Sequence, residues 1–156
     1  ASMRNKLFEI RIDTHFRGVL AGCANRDSTW LTQEVQNAFL ELHEFGFAHS
    51  FETWQNEELV GGLFGVSIGK NFTGDSMFSA VSDASKVAFA HLVDFAKHHG
   101  FGPIDCQIEN EHLLSLGAEV LPRSEFMTQL NHWIQLAPSV RGPWTHMRPA
   151  HWPLSA

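Results

Sequence analysis

The sequence predicts an α+β fold in which a mixed, mostly antiparallel sheet is flanked by helices. Polar residues around Asn56 and the dipeptide Gly69-Lys70 separate three apolar runs, which predicts three consecutive antiparallel strands. A long apolar helix over 84–99 follows, and a short apolar run over 104–108 predicts one further strand that crosses back. Strands and helices in this order are typical of α+β domains.

The central stretch, from Leu59 to Ser79, is predicted to be a hairpin rich in glycine. Its two strands meet at Gly69-Lys70, where a tight turn uses the positive φ that glycine tolerates. Glycine destabilises strand interiors, so the others indicate places where another backbone or a ligand comes close. Alternatively, the hairpin is bulged or strongly twisted and binds no ligand. The four interior glycines are Gly61, Gly62, Gly65 and Gly74.

Helix caps and apolar spacing predict the remaining elements. The long helix is expected to be capped by Ser82-Asp83 and, because its apolar arc is broad, to be largely buried against the sheet. The chain from 1 to 156 is interpreted as a single domain whose residues 137–156 form an irregular tail. The other elements are expected as a strand over 7–12, helices from Thr14 to Cys23 and from Thr32 to Gly46, a strand over 47–54, a helix over 110–116, a strand over 118–121 and a helix over 124–136.

Composition limits the class of protein. The 156 residues are 44% apolar, enough for one domain with a substantial core. No run of about 18 apolar residues occurs and the N-terminus lacks a signal pattern, so a soluble cytoplasmic protein is expected. Two cysteines are too few for a disulfide framework. The net charge of -6 argues against a general nucleic-acid binder, so any such contact is expected to be local.

The order of the elements is that of an N-acetyltransferase-like fold, of the acyl-CoA N-acyltransferase type. Such proteins bind acyl-coenzyme A through a Gln/Arg-x-x-Gly-x-Gly turn before the long helix, whose N–H groups hold the pyrophosphate. The corresponding turn here, from Ala80 to Lys86, contains no glycine. A coenzyme A donor is therefore not expected, although a small-molecule acyltransferase remains an alternative.

Several short motifs occur in order and at compatible spacing along the chain. They are Glu57-x-Leu-Val-Gly-Gly-x-x-Gly-Val, Phe72-x-Gly-Asp-Ser-Met-Phe-Ser79, Ala84-Ser-Lys86, Ile104-Asp-Cys-Gln107, Asn110-x-His112 and Ser115-Leu-Gly-Ala118. Each is weak alone, but together they resemble the C-terminal domain of the leucyl/phenylalanyl-tRNA-protein transferase family, from about Leu20 to Gln135. Members of that family usually also carry a smaller N-terminal domain with a Trp-Trp-Ser-Pro-like segment, which this sequence lacks.

The resemblance implies an aminoacyltransferase. Such enzymes move Leu or Phe from aminoacyl-tRNA to the N-terminal Arg or Lys of an acceptor protein, which marks the acceptor for degradation. The expected partners are therefore the 3′ end of the charged tRNA and acceptor proteins with a basic N-terminus, bound by a monomer away from any membrane. Because an ester donor makes amide formation downhill, no nucleotide, metal or other cofactor is expected.

The resemblance assigns the chemistry to Asp105 and Gln107. They lie two residues apart on the predicted last strand, a spacing that puts both side chains on one face. Gln107 would contact the attacking amine or the ester, while Asp105 polarises or orients it. A buried carboxylate bound by local backbone N–H groups is the alternative for Asp105. Cys106 is interpreted as a small core residue, because no adjacent base is indicated.

The resemblance also implies an apolar pocket for the Leu or Phe side chain, in which the absence of hydrogen-bond partners rejects polar residues. Leu63, Phe72, Met77, Phe89 and Leu92 are expected to line it. The flexible thioether of Met77 suits both a branched and a flat guest, whereas Phe89 and Leu92 fit an ordinary helix core equally well. Leu63 stands where relatives often carry Met, which leaves the preferred amino acid open.

Further residues are expected to bind the donor. Trp30 matches a tryptophan that stacks on the terminal adenine, or else it is a packing lid before a helix. Asp75 stands where the family commonly has the longer Glu, so its contact with the donor ester is weakened or mediated by water. Gly74 and Ser76 flank it, and Ser76 would bring a hydroxyl or N–H near the ester. Asn110 would hold the turn after the catalytic strand or simply cap a helix.

Other kinds of site find little support in the sequence. The histidines are interpreted as surface residues without a metal site, since His98-His99 cannot share one ion comfortably and His43 has no second His four residues later. No Gly-x-Ser-x-Gly motif supports Ser/His/Asp catalysis. A non-catalytic module that binds basic protein N-termini or aminoacyl esters remains open as an alternative.

Overall fold

The computed structural model of the protein describes residues 7–25, 30–102, 104–106, 124–125, 128 and 143–145, with Asp105 and Cys106 described by their backbone alone. Five strands and three helices lie within these ranges. Their order confirms the prediction as far as the strand that crosses back, and the elements predicted after it lie almost wholly outside the described residues. The elements are β1 (Glu9–Ile12), α1 (Phe16–Ala24), α2 (Gln33–Glu44), β2 (Ala48–Gln55), β3 (Glu58–Ile68), β4 (Asn71–Ser79), α3 (Ala84–His98) and β5 (Ile104–Cys106).

The five strands form one mixed sheet in the order β1-β2-β3-β4-β5. The first four pair antiparallel with their neighbours, and β5 pairs parallel with β4. The three consecutive antiparallel strands predicted around the two tight turns are therefore confirmed. α3 supplies the long connection that a parallel neighbour of β4 requires.

Helices cover both faces of the sheet and produce two apolar cores. α1 and α2 pack on one face, where the predicted apolar stripe of α1 is buried. α3 packs on the other face, and its broad buried arc confirms the helix predicted there. Side chains alternate along β3, so Leu63 belongs to the α3 face and Phe64 to the α1 face. Within the described part of the chain, no helix is both long and apolar enough to cross a lipid bilayer.

The helix ends confirm one predicted cap and correct another. Thr32 caps α2 by accepting a hydrogen bond of 3.3 Å from a backbone N–H in the first turn, and Gly46 follows the helix with a φ of 88°. At α3, Asp83 occupies the cap position with a φ of 69°, but its side chain forms no capping hydrogen bond. The Oγ of Ser79 instead accepts the N–H of Ser85 at 2.7 Å. The preceding strand therefore supplies the cap.

The glycines of the hairpin mark close contacts within the protein. A Cβ on Gly65 would overlap the carbonyl oxygen of Thr73 and approach the ring of Phe72 to 2.7 Å. A Cβ on Gly61 would overlap the side chain of Ala84 at the start of α3. The close approach predicted from these glycines is thus made by a neighbouring strand and helix. A β-bulge is also present, as in the ligand-free interpretation of the hairpin.

Candidate functional site

β4 changes its neighbours half-way along its length. From Phe72 to Gly74 it pairs with β3 on one side and with β5 on the other, where Gly74 lies opposite Cys106. From Ser76 to Ser79, its partner among the described strands is β3 alone. Within the described residues, this second half of β4 is therefore an edge of the sheet, beside the end of β5.

Asp75 is an extra residue in β4. Gly74 lies opposite Gly65 and Ser76 lies opposite Phe64, so Asp75 has no counterpart on β3. An extra residue of this kind is a β-bulge, which bends the strand and re-aims the side chains that follow it.

The bulge brings Phe72 and Met77 to the same face of the sheet. On a regular strand, residues five positions apart point to opposite faces, because side chains alternate. With the extra residue between them, both pack on the α3 face, while Phe78 turns to the α1 face. Phe72 and Met77 therefore share one face of the sheet because of the bulge, and their predicted place in one pocket stays a prediction.

The five residues predicted to line the pocket lie in one apolar cluster on the α3 face. Met77 is half-buried and packs against this cluster, and it is the most exposed of the five. Ile104 on β5, which the sequence analysis did not select, packs against the same cluster. The other four are core residues in this structure, with exposed fractions of 1% for Leu63, Phe72 and Leu92 and 6% for Phe89.

Trp144 reaches the same cluster from the C-terminal tail. Its side chain is fully buried, whereas Pro143 and Thr145 on either side are exposed. The indole lies 6.2 Å from the ring of Phe72 between centroids, and it packs against other aromatic rings of the cluster. No periodicity in the sequence of the tail marks Trp144 as a core residue. The available signal was the indole itself, since side chains of this size dominate core energetics.

Asp13 and His49 hold Trp144 in place. The imidazole of His49 stacks on the indole, with 3.5 Å between ring centroids and 6° between planes. Asp13 Oδ2 accepts hydrogen bonds from the N–H of Trp144 at 2.9 Å and from His49 Nδ1 at 2.7 Å. Because His49 is fully buried, the prediction that the histidines lie at the surface is wrong for it. The same prediction is wrong for His91 on α3, whereas His98 is exposed as expected.

Trp30 lies just before α2 and is 41% exposed. Its indole meets the ring of Phe39 edge-on, with 6.3 Å between ring centroids. This contact leaves a large part of the indole in solvent, which suits a stacking platform better than a closed packing lid. Its predicted contact with a base stays a prediction.

The residues predicted for the chemistry are only partly described. The backbone of Asp105 lies opposite Thr73 in the parallel pairing, one residue before the point where the described part of β5 ends. Gln107 and Asn110, like the side chain of Asp105, lie outside the described residues. A carboxylate and a carboxamide side by side at the end of β5 therefore stay a prediction. Asp75 and Ser76, at the neighbouring bulge, are half-buried.

Two further features of the described residues concern other kinds of site, a groove and a possible metal site. An open groove of about 560 Å³ lies at α1 and α2, on the face of the sheet away from the apolar cluster. Among the described side chains, no group of three or more His, Cys, Asp or Glu is arranged to hold a metal ion. The groove is lined by Ala21, Gly22, Ala24, Asn25 and Gln36.

The sequence profile of the leucyl/phenylalanyl-tRNA protein transferases matches residues 1–131. The chain belongs to this family. The match begins nearer the N-terminus than Leu20, where the resemblance was expected to start, and ends close to the expected Gln135. The motif from Phe72 to Ser79 lies within β4, and it contains the bulge and the two predicted pocket residues on either side of it.

Curated relatives are closely similar over most of the chain. The leucyl/phenylalanyl-tRNA–protein transferase of Desulfatibacillum aliphaticivorans is 47% identical over 149 residues, which cover 92% of this chain and 64% of that protein. The transferase of Dechloromonas aromatica is 49% identical over 83% of this chain and 58% of its own length. The transferase of Saccharophagus degradans is 50% identical over 86% and 57%. This transferase-family chain thus spans less than two thirds of the length of these relatives.

Solved structures of other proteins share the fold of this family member. An aminoglycoside N-acetyltransferase in complex with coenzyme A aligns with a TM-score of 0.53 and 16% identity, over 74% of this chain and 90% of that one. A transcriptional regulator from Bacillus halodurans aligns with a TM-score of 0.52 and 15% identity, over 74% and 95%. These likenesses confirm the predicted N-acetyltransferase-like α+β fold and, at such low identity, nothing beyond it.

Proposed function

We propose that this family member is an aminoacyltransferase that moves Leu or Phe from aminoacyl-tRNA to the N-terminal Arg or Lys of acceptor proteins, which marks them for degradation. The proposal includes action as a monomer in the cytoplasm. Membership of the family supports the type of reaction. The apolar cluster on the α3 face supports an apolar donor side chain.

The observation that carries the proposal is the bulge at Asp75 beside the end of β5. Without it, Phe72 and Met77 would lie on opposite faces of the sheet, and no single pocket could contain both. With it, the apolar cluster has half-buried Met77 among its partners and adjoins the strand that carries Asp105. An aminoacyl ester whose side chain enters this cluster beside Met77 would have its carbonyl near β5.

The reaction is an aminolysis of an ester. The α-amino nitrogen of the acceptor attacks the ester carbonyl carbon, and the bond from that carbon to the ribose oxygen breaks. The amine loses one proton and the ribose oxygen gains one, so the step balances with the two substrates alone. An α-amino group titrates near about 7.7 to 8.0, so about 10 to 17% of it is neutral at pH 7. The protein therefore contributes mainly by orienting the amine and moving that proton.

Specific residues are proposed for these tasks. Asp105 and Gln107 orient the amine and the ester and help remove the proton. Asp75 and Ser76, half-buried at the bulge, bind near the ester. The exposed indole of Trp30 stacks on the terminal adenine of the tRNA, a contact worth about 1 to 3 kcal/mol in single-stranded nucleic-acid complexes.

Transfer of Leu from leucyl-tRNA to a peptide that begins with Arg tests the proposal, with the mass of the peptide as the readout. Phenylalanyl-tRNA is the second donor, and the same peptide with an acetylated N-terminus is the control acceptor. We expect both donors to react with the free peptide alone, and Asp105→Asn to slow the reaction by about 10² to 10⁴-fold. A full-length relative that transfers under the same conditions, while this chain does not, would contradict the proposal.

A further inference from the structure

Trp144 packs beside Phe72, one of the residues proposed to line the donor side-chain pocket. Phe72 follows the hairpin turn on β4, and its ring covers Gly65, which has no side chain of its own on that face. Gly74 is the next residue of β4 on this face and places no side chain between Phe72 and Met77. The indole of Trp144 lies 6.2 Å from the Phe72 ring, on the β2 side of the cluster, where it stacks on His49.

The contacts of Trp144 are unusual for a residue of an irregular segment. Its neighbours Pro143 and Thr145 are exposed, so the indole enters the core alone. His49 stacks on one face of it, and the Asp13 carboxylate binds both His49 and the Trp144 backbone. All of these groups are buried, and Asp13 adopts a φ of 58°, a conformation uncommon outside glycine. The position of the indole is therefore set by two independent kinds of contact.

We propose that Trp144, held by Asp13 and His49, is a positioning residue that fixes the ring of Phe72 and thereby sets the size of the donor side-chain pocket. The indole blocks movement of the Phe72 ring across Gly65 towards β2. A smaller residue at 144 lets the ring move in that direction, which enlarges the space over Gly74. This inference rests on the proposed function, because it concerns the same pocket.

The test measures how donor preference changes when the indole of Trp144 is replaced by a smaller ring. Stable aminoacyl-adenosine amides of Leu, Phe and the larger naphthylalanine serve as probes, and calorimetry gives their dissociation constants. For Trp144→Phe we expect the affinity for naphthylalanine relative to Leu to rise by about tenfold or more, since one methylene in an apolar pocket is worth about 10 to 200-fold. Asp13→Asn, which tolerates the same φ but offers one fewer acceptor oxygen, should shift the ratio in the same direction and less.

Phe16→Leu is the matched control. Phe16 is a buried aromatic residue in the core on the opposite face of the sheet, so its loss lowers stability without touching the pocket. We expect its melting temperature to fall as in Trp144→Phe while its donor ratio stays at the wild-type value. A ratio that is unchanged in Trp144→Phe and Asp13→Asn, although both variants fold, would overturn the inference and leave Trp144 as a structural anchor.

Binding and transfer separate the two proposals. If the wild type binds the amides but transfers nothing from aminoacyl-tRNA, the transferase proposal fails and the Trp144 inference is still decided by the binding ratios. If transfer occurs and the ratios do not change, only the Trp144 inference fails. If the wild type binds none of the amides, both fail.

Discussion

Asp13 and Glu52, two buried carboxylates, fix the turn between β1 and α1. Asp13 accepts a backbone N–H of β2 at 2.8 Å in addition to its contacts with the Trp144 anchor. Glu52 accepts the N–H groups of Thr14 and His15 at 3.0 and 2.8 Å. Thr14, expected to cap α1, thus binds Glu52 with its side chain as well, and His15 occupies the cap position. The start of the chain and its tail are therefore joined through one acidic residue.

Replacing Glu52 by Gln is expected to lower the free energy of unfolding by about 3 kcal/mol, because an amide group would face donors that now share two carboxylate oxygens. Besides the two N–H groups, Ser50 Oγ donates at 2.6 Å and Trp54 Nε1 at 3.1 Å. Urea unfolding measures the loss. Glu9→Gln is the control, because exposed Glu9 pairs with Arg11 at 2.7 Å and its hydrogen bond raises the pKa of Arg11. Such an exposed pair should contribute less than about 1 kcal/mol to the free energy of unfolding. Equal losses in the two variants would contradict this prediction.

The apolar part of the candidate site could be predicted from residue types. The buried residues that hold it from behind, Asp13, His49 and Trp144, could not. Leu63 and Met77 are cross-strand partners only because of the bulge at Asp75, since the register set by the turn would place Ser76 opposite Leu63. His49 is buried against the usual preference of histidine, because Asp13 supplies its hydrogen bond. Trp144 binds Asp13 across 131 positions of sequence, and no spacing rule connects residues so far apart.

The turn at Gly69-Lys70 and the bulge at Asp75 together set the register of β4. The two-residue turn fixes the pairing of the first half of the strand with β3, starting with Asn71 opposite Ile68. The bulge then reverses the side-chain alternation for the second half. Periodicity predicted both strands, but the extra residue has no signature of its own in a stretch where glycines already interrupt the pattern.

Deletion of Asp75 is expected to be tolerated about as well as Asp75→Gly, because Asp75 is the one residue of this part of β4 without a counterpart on β3. With Asp75 removed, Gly74 stays opposite Gly65 and Met77 stays opposite Leu63, so Met77 and Phe78 keep their faces of the sheet. Thermal and urea unfolding compare the two variants. A deletion that loses roughly 2 to 4 kcal/mol more than Asp75→Gly, the apolar burial of these two side chains, would contradict this prediction and indicate that the strand slips.

At the scale of the whole molecule, charge and length bear on how tRNA is bound. The chain carries 17 acidic and 11 basic residues, a formal net charge of -6. It also covers less than two thirds of its relatives' length. Binding of a nucleic-acid backbone draws its affinity from Lys and Arg that displace counterions. A molecule of this charge is therefore expected to recognise the aminoacylated 3′ end rather than the body of the tRNA.

This expectation predicts a weak dependence of tRNA binding on salt. Each phosphate contacted in a single strand contributes a slope of about −0.7 in a plot of log affinity against log salt. We expect a slope shallower than about −3, and an affinity for leucyl-tRNA within about tenfold of that for the leucyl-adenosine amide. Trp30→Ala is the internal control. Loss of stacking should weaken the binding of both ligands by about 1 to 3 kcal/mol and leave the salt slope of tRNA binding unchanged. A slope steeper than about −5 would instead require several basic side chains acting together on the phosphates, and the search for the tRNA surface would then move from the 3′ end to a local basic patch.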